Sequence, residues 1–120
     1  MDGKSVFVYS EDMKIGIVLQ SNNHEHVWNV FRFSITALKG SHTVTIFLLN
    51  EGTELESMAD TEEYDISKKI VEYRALGGEI LACGTCLKSR GKSGSDVCPV
   101  STMGDLLALV EASDKVMVFS

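Results

Sequence analysis

Two thiols, Cys83 and Cys86, stand at the end of a short apolar run, Ile80-Leu81-Ala82, and are followed by Arg90 and Gly91. The thiolate is the nucleophilic and metal-binding form of cysteine, so the surroundings decide what such a pair can do. Gly77-Gly78 precede the run and Gly84 follows it, which predicts a short buried strand that delivers Cys83 at its carboxyl end. Open α/β sheets bind ligands at that edge. A helix entered near Thr85 would aim its first N–H groups and the positive end of its dipole at the thiols. Arg90, four residues after Cys86 and therefore on the same helical face, would strengthen the pull toward thiolate, and Lys88 would add a second cation. The candidate reactive set is thus Cys83, Cys86 and Arg90, with Gly84, Thr85, Lys88 and Gly91 as candidate binding positions around it.

A Cys-x-x-Cys pair can serve as a redox couple, as half of a zinc site, or as a carrier thiol with a resolving neighbour. Zinc needs about four ligands, whereas beyond the pair only Cys98 and three histidines remain. His24 and His26 would also point to different sides of a helix. Cys98-Pro99 supplies the downstream proline of a thioredoxin-like site, but here the pair follows a late strand rather than an early one. Cysteines that act only as small buried hydrophobes are the unreactive alternative, which suits Cys98 better than Cys83 and Cys86, since these lie beside glycines and cations. Gly91-Lys92-Ser93 ends like a phosphate-binding loop, yet Cys86 occupies the place of that loop's first glycine. No metal and no cofactor are expected.

Composition limits what the pair can belong to. A chain of 120 residues that is 44% hydrophobic can build one core, burying about two thirds of the surface exposed when unfolded. A single domain over 1–120 is expected. Three cysteines are too few for a disulfide scaffold, and neither a secretory signal nor an apolar run of about 18 residues is present, so no membrane association and a reducing cytosol are expected. Eleven basic residues against 17 acidic ones give a net charge of −6, which argues against a nucleic-acid partner. Glu51, Glu54, Glu56, Asp60, Glu62, Glu63 and Asp65 crowd one stretch without a Lys or Arg among them. That stretch predicts a solvated loop, with a docking surface for a basic partner as the alternative.

The elements that must position the thiols follow from periodicity. Ser5–Tyr9 is a β-rich run ending at a polar turn, and Ile15–Leu19 is apolar on both faces, as a central strand covered by helices should be. Asn22 or Asn23 can cap a helix from His24 to Leu38 whose stripe is Val27, Phe31, Ile35 and Leu38, widened by Trp28 and Val30. Gly40 ends it, and Thr43–Leu49 supplies a second strand. Asp65 is placed to cap a helix carrying Ile66, Ile70, Tyr73 and Leu76, closed by Gly77-Gly78. After the thiols come a polar loop at 91–96, an extended piece at 97–100, a helix opened by a Thr102/Asp105 capping box, and a terminal strand, Lys115–Phe119. Such alternation predicts a three-layer α/β sandwich, with a mostly parallel sheet of about five strands, helices on both faces and an extra N-terminal β segment.

Cys83-x-x-Cys86-x-x-x-Arg90-Gly91 after a strand, the opening Lys14–Val18 and the ending Ser113–Phe119 together resemble the DsrE/TusD-like sulfur-relay superfamily, most of all its small YchN-type members. The resemblance covers roughly residues 14 to 120 and leaves residues 1 to 13 as an N-terminal extension. It implies an α/β sandwich assembled into homo-trimers or homo-hexamers. It further implies a carrier of persulfide sulfur working between sulfur donor and acceptor proteins, with Cys83 at the sulfur-carrying position and Cys86 matching a second cysteine of the YchN-like subgroup. Lys92-Ser93-Gly94 replaces the apolar continuation that many members have after Arg-Gly, at a place where partners would dock.

Overall fold

The structure is a computed structural model that describes residues 11–120. The β-rich run at Ser5–Tyr9 lies outside the described residues. In chain order the described residues form β1 (Lys14–Leu19), α1 (His24–Lys39), β2 (Thr43–Leu48), a 3₁₀ segment (Asn50–Ser57), α2 (Ile66–Ala75) and β3 (Glu79–Cys83). They continue with α3 (Gly84–Ser89), β4 (Val100–Ser101), α4 (Met103–Ala112) and β5 (Lys115–Phe119). Five strands pair in the order β4-β3-β2-β1-β5, every pairing parallel. The doubly apolar Ile15–Leu19 run takes the place such a run requires, between β2 and β5.

Register lines up the core. Ile17 sits opposite Ile46 and Met117, and Ile46 opposite Ile80, so one row of side chains crosses the sheet. Val27, Val30, Phe31 and Ile35 of α1 pack on this face in one cluster with Ile15, Leu19, Val44 and Leu48. Asn23 Oδ1 caps α1 by accepting the His26 N–H at 3.0 Å, and the Gly40 N–H closes the far end on Thr36 and Ala37 carbonyls. Phe31 meets the fully buried Tyr73 edge to face, with ring centroids 5.3 Å apart, which ties α1 to α2.

The start of α2 departs from the sequence expectation. Asp65 holds the cap position but makes no side-chain cap bond; its Oδ1 accepts the Trp28 indole N–H at 2.9 Å instead. The capping acceptor comes from farther back, where Asp60 Oδ1 takes the Ser67 N–H at 2.8 Å. Trp28, placed in the α1 stripe, is therefore half-buried against Tyr64 with Arg32 over its ring.

The other face of the sheet is thinly covered. Phe47 and Val18 are buried on it, and Leu109 and Ser113 at the end of α4 lie against Gly16. Yet α4 has no buried residue, and Met103, Leu107 and Val110 on it are exposed together with Val116 and Val118 of β5.

Candidate functional site

The carboxyl ends of β1, β2 and β3 converge where the sequence placed the thiols. Cys83 is the last residue of β3, paired with Ser101, and is only 3% exposed. The helix begins one residue earlier than expected, at Gly84, whose absent Cβ would stand 3.0 Å from a Val100 methyl. Thr85 and Lys88 are exposed on α3, and Leu87 anchors it in the core. Gly91 follows at φ +64, a left-handed conformation that lets the chain leave α3 while the Lys92 N–H returns to the Leu87 carbonyl at 2.9 Å.

Cys86 lies in the first turn of α3, half-buried, with its thiol close enough to that of Cys83 for each to feel the other. Its Sγ accepts the Asn50 backbone N–H at 3.3 Å. Asn50 has φ +51, and its side-chain amide donates to Gln20 Oε1 at 2.7 Å. Burial pushes the Cys86 thiol above its ordinary value, the Asn50 N–H pulls it back, the Cys83 contact raises it again, and Arg90 lowers it least of these. Desolvation is thus the largest influence on this thiol, and the pull of Arg90 toward thiolate the smallest of those named.

Arg90 is engaged elsewhere. Its Nε donates to Glu54 Oε2 at 3.0 Å, its Nη2 lies 3.5 Å from Glu51 Oε1, and its Nη1 donates to the Cys86 carbonyl at 3.2 Å. Asn22 holds the other oxygen of Glu54 at 3.2 Å, and these bonds keep the Glu54 carboxyl below the usual glutamate range. The acidic stretch is accordingly no free loop at its start. Residues 50–57 form the 3₁₀ segment docked on α3, with Ser95 donating to Glu56 at 2.6 Å and Lys92 Nζ bonded to Ser57 Oγ. Gly52 permits this docking, since a Cβ there would fall 2.0 Å from the Leu19 carbonyl oxygen.

The third cysteine is a core residue. Cys98 is 3% exposed, packs in the main cluster, and burial pushes its thiol up to about 12. His24 is hydrogen-bonded to the Ala59 carbonyl at 2.8 Å, away from the thiols. Among the described residues, no group of three or more His, Cys, Asp or Glu side chains is placed to hold a metal.

Gln20, Asn50 and Glu54 complete the site; the sequence pointed to Glu54 only as part of the acidic stretch and singled out neither Gln20 nor Asn50. A signal was present: Gln20 follows β1 and Asn50 follows β2, two successive strands on one side of the thiol-bearing β3, at the carboxyl edge where clefts form.

Comparison with known proteins gives the chain its relatives. It is 33% identical over 103 residues to the uncharacterized protein MJ0989 of Methanocaldococcus jannaschii, covering 79% of this chain and 88% of that one. It is 32% identical over 103 residues to the uncharacterized protein MK0008 of Methanopyrus kandleri, covering 79% and 83%. The crystal structure of the ychN protein from E. coli superposes with a TM-score of 0.77 at 20% identity, over 90% of this chain and 99% of that one, which is a likeness of fold. Residues 13–119 match the DsrE/DsrF-like family, and with all five described strands and both thiols inside that span, the chain belongs to that family.

Proposed function

We propose that this protein carries sulfane sulfur as a persulfide on the Cys83–Cys86 pair and passes it between a donor and an acceptor protein in a reducing, cytosolic setting. The observation that carries this reading is the meeting of two thiols at the carboxyl edge of a parallel sheet, one sulfur also receiving a backbone N–H. Membership of the DsrE/DsrF-like family supports it. A thiolate takes the outer sulfur of a donor persulfide and later yields it to an acceptor thiolate, so the sulfur changes bonding partner without net oxidation. The test is mass spectrometry of the full chain after incubation with cysteine persulfide. A gain of one sulfur atom on a peptide containing the pair is expected, and no gain at any donor concentration rejects the reading.

A second reading draws on the opposite side of the molecule. The exposed apolar residues of α4 and β5 form a surface that a homo-oligomer would cover, so the chain could be a binding or structural module whose thiols do no chemistry. We propose assembly as a homo-trimer or homo-hexamer in either case. A thiol–disulfide redox protein predicts instead a stable Cys83–Cys86 disulfide under mild oxidation and no retained sulfur.

A further inference from the structure

One group beside the thiols belongs neither to the Cys-x-x-Cys motif nor to the Arg-Gly pair. Asn50 is held at φ +51, a left-handed conformation that asparagine tolerates far better than a β-branched residue does. That conformation turns its backbone N–H onto Cys86 Sγ at 3.3 Å. The side-chain amide fixes it to Gln20 at 2.7 Å, and Gln20 is itself fixed by its N–H on the Phe119 carbonyl at 2.8 Å. On the other side Gly52 seats the 3₁₀ segment against the end of β1. Three strands therefore hold one N–H donor on one sulfur. Cys83 is only 3% exposed and so offers little surface to an incoming donor, whereas Cys86 is partly open.

We infer that Cys86 rather than Cys83 receives the sulfur, and that Asn50 is the positioning residue whose backbone N–H stabilises charge on Cys86 Sγ, an assignment that rests on the persulfide-carrier reading above. In loading, Cys86 gives its proton to solvent and its thiolate attacks the outer sulfur of a donor R–S–SH. The Cys86–sulfur bond forms as the donor S–S bond breaks, and the donor leaves as a thiolate that takes up a proton. In delivery, an acceptor thiolate attacks the outer sulfur and Cys86 Sγ departs as thiolate. Negative charge resides on the same Sγ at the start of the first step and at the end of the second, so one preorganised N–H serves both. Burial raises the Cys86 thiol above its ordinary value, and the N–H offsets part of that cost when the anion forms. Without an acceptor, Cys83 thiolate attacks Cys86 Sγ and expels the outer sulfur as hydrosulfide. That sulfur gains the two electrons that the cysteines lose in forming their disulfide.

The test uses the full chain, cysteine persulfide as donor, and peptide mass spectrometry. Cys83→Ser should gain one sulfur atom on Cys86, and Cys86→Ser should gain none on Cys83. If serine at the buried position unfolds the chain, Cys83→Ala replaces it. Any other pattern in which the wild type loads overturns the assignment and leaves the carrier reading standing, whereas no loading of the wild type rejects the carrier reading itself. The Asn50 role is read from the pH profile of Cys86 alkylation by iodoacetamide in the Cys83→Ser background. Asn50→Val, which disfavours the left-handed backbone, should raise the midpoint and slow alkylation at neutral pH about tenfold, as loss of a hydrogen bond to a charged group would. Asn50→Gly tolerates the conformation and retains the N–H while losing the Gln20 bond, and should shift less than Asn50→Val. An unshifted Asn50→Val profile, or an equal loss in Asn50→Gly, overturns that role.

Discussion

Arg90 Nε lies 3.0 Å from Glu54 Oε2, joining the end of α3 to the 3₁₀ segment across 36 residues of sequence. The guanidinium therefore bolts the α3 side of the site to the Asn50 side before it acts on any sulfur. Arg90→Lys keeps the charge but loses the planar fork, so it should lower Tm and loosen residues 50–57 in amide exchange. The pH dependence has a definite sign. Because Glu54 is held below its ordinary value in the folded protein, its contribution is present above the unfolded glutamate value and is lost as pH falls through the lowered one. Glu54→Gln should flatten the acid limb of stability below about pH 4.5 in thermal melts, and a limb identical to wild type would exclude the pair as a contributor.

The capping arrangement at α2 makes the two aspartates separable. Asp60→Ala removes the acceptor of the Ser67 N–H and should speed amide exchange in the first turn of α2. Asp65→Ala should leave that turn protected and shift Trp28 fluorescence, since it removes the partner of the indole N–H. Asp60 is also held below its ordinary value, first by the Ser67 N–H, so its support for α2 should fade as pH drops through that lowered value.

Cys98 should resist alkylation in the native state while Cys86 reacts, with the two distinguished by peptide mapping. Its thiol is raised to about 12 by burial, so its contribution to stability is present below the unfolded thiol value and is lost as pH rises toward the folded one. Cys98→Ala should weaken that alkaline loss of stability. The cavity it leaves should cost on the order of 1 kcal/mol at neutral pH, measured by urea unfolding.

Self-association can be read directly by sedimentation. The wild type should run well above its 13.1 kDa chain mass at micromolar concentration. Leu107→Glu or Val118→Glu, each at a residue 59% exposed, should shift the protein to monomer without unfolding it. A wild-type monomer would end the assembly proposal.

The sequence by itself determined the elements and their class. The stripe of Val27, Phe31 and Ile35 and the β-branched run from Thr43 carry periods that only a helix and a strand satisfy, and β5 lies at Lys115–Phe119 where its run of apolar residues put it. Cys83 at a strand end followed from the glycines on either side of the run, a local signal of the same kind. Only the tertiary structure decided which groups meet the thiols. Asn50, Glu54 and Arg90 come together across more than thirty residues, and no periodicity records a hydrogen bond made between separate strand ends. The same distance hid the exchange of roles between Asp60 and Asp65, because Asp65 has the right local spacing for a cap and loses it to an indole on another helix. Charge misled for the same reason. Residues 51–65 contain no cation, so they read as solvated, while their counter-charge Arg90 arrives from α3 through the parallel crossover that brings β3 beside β2.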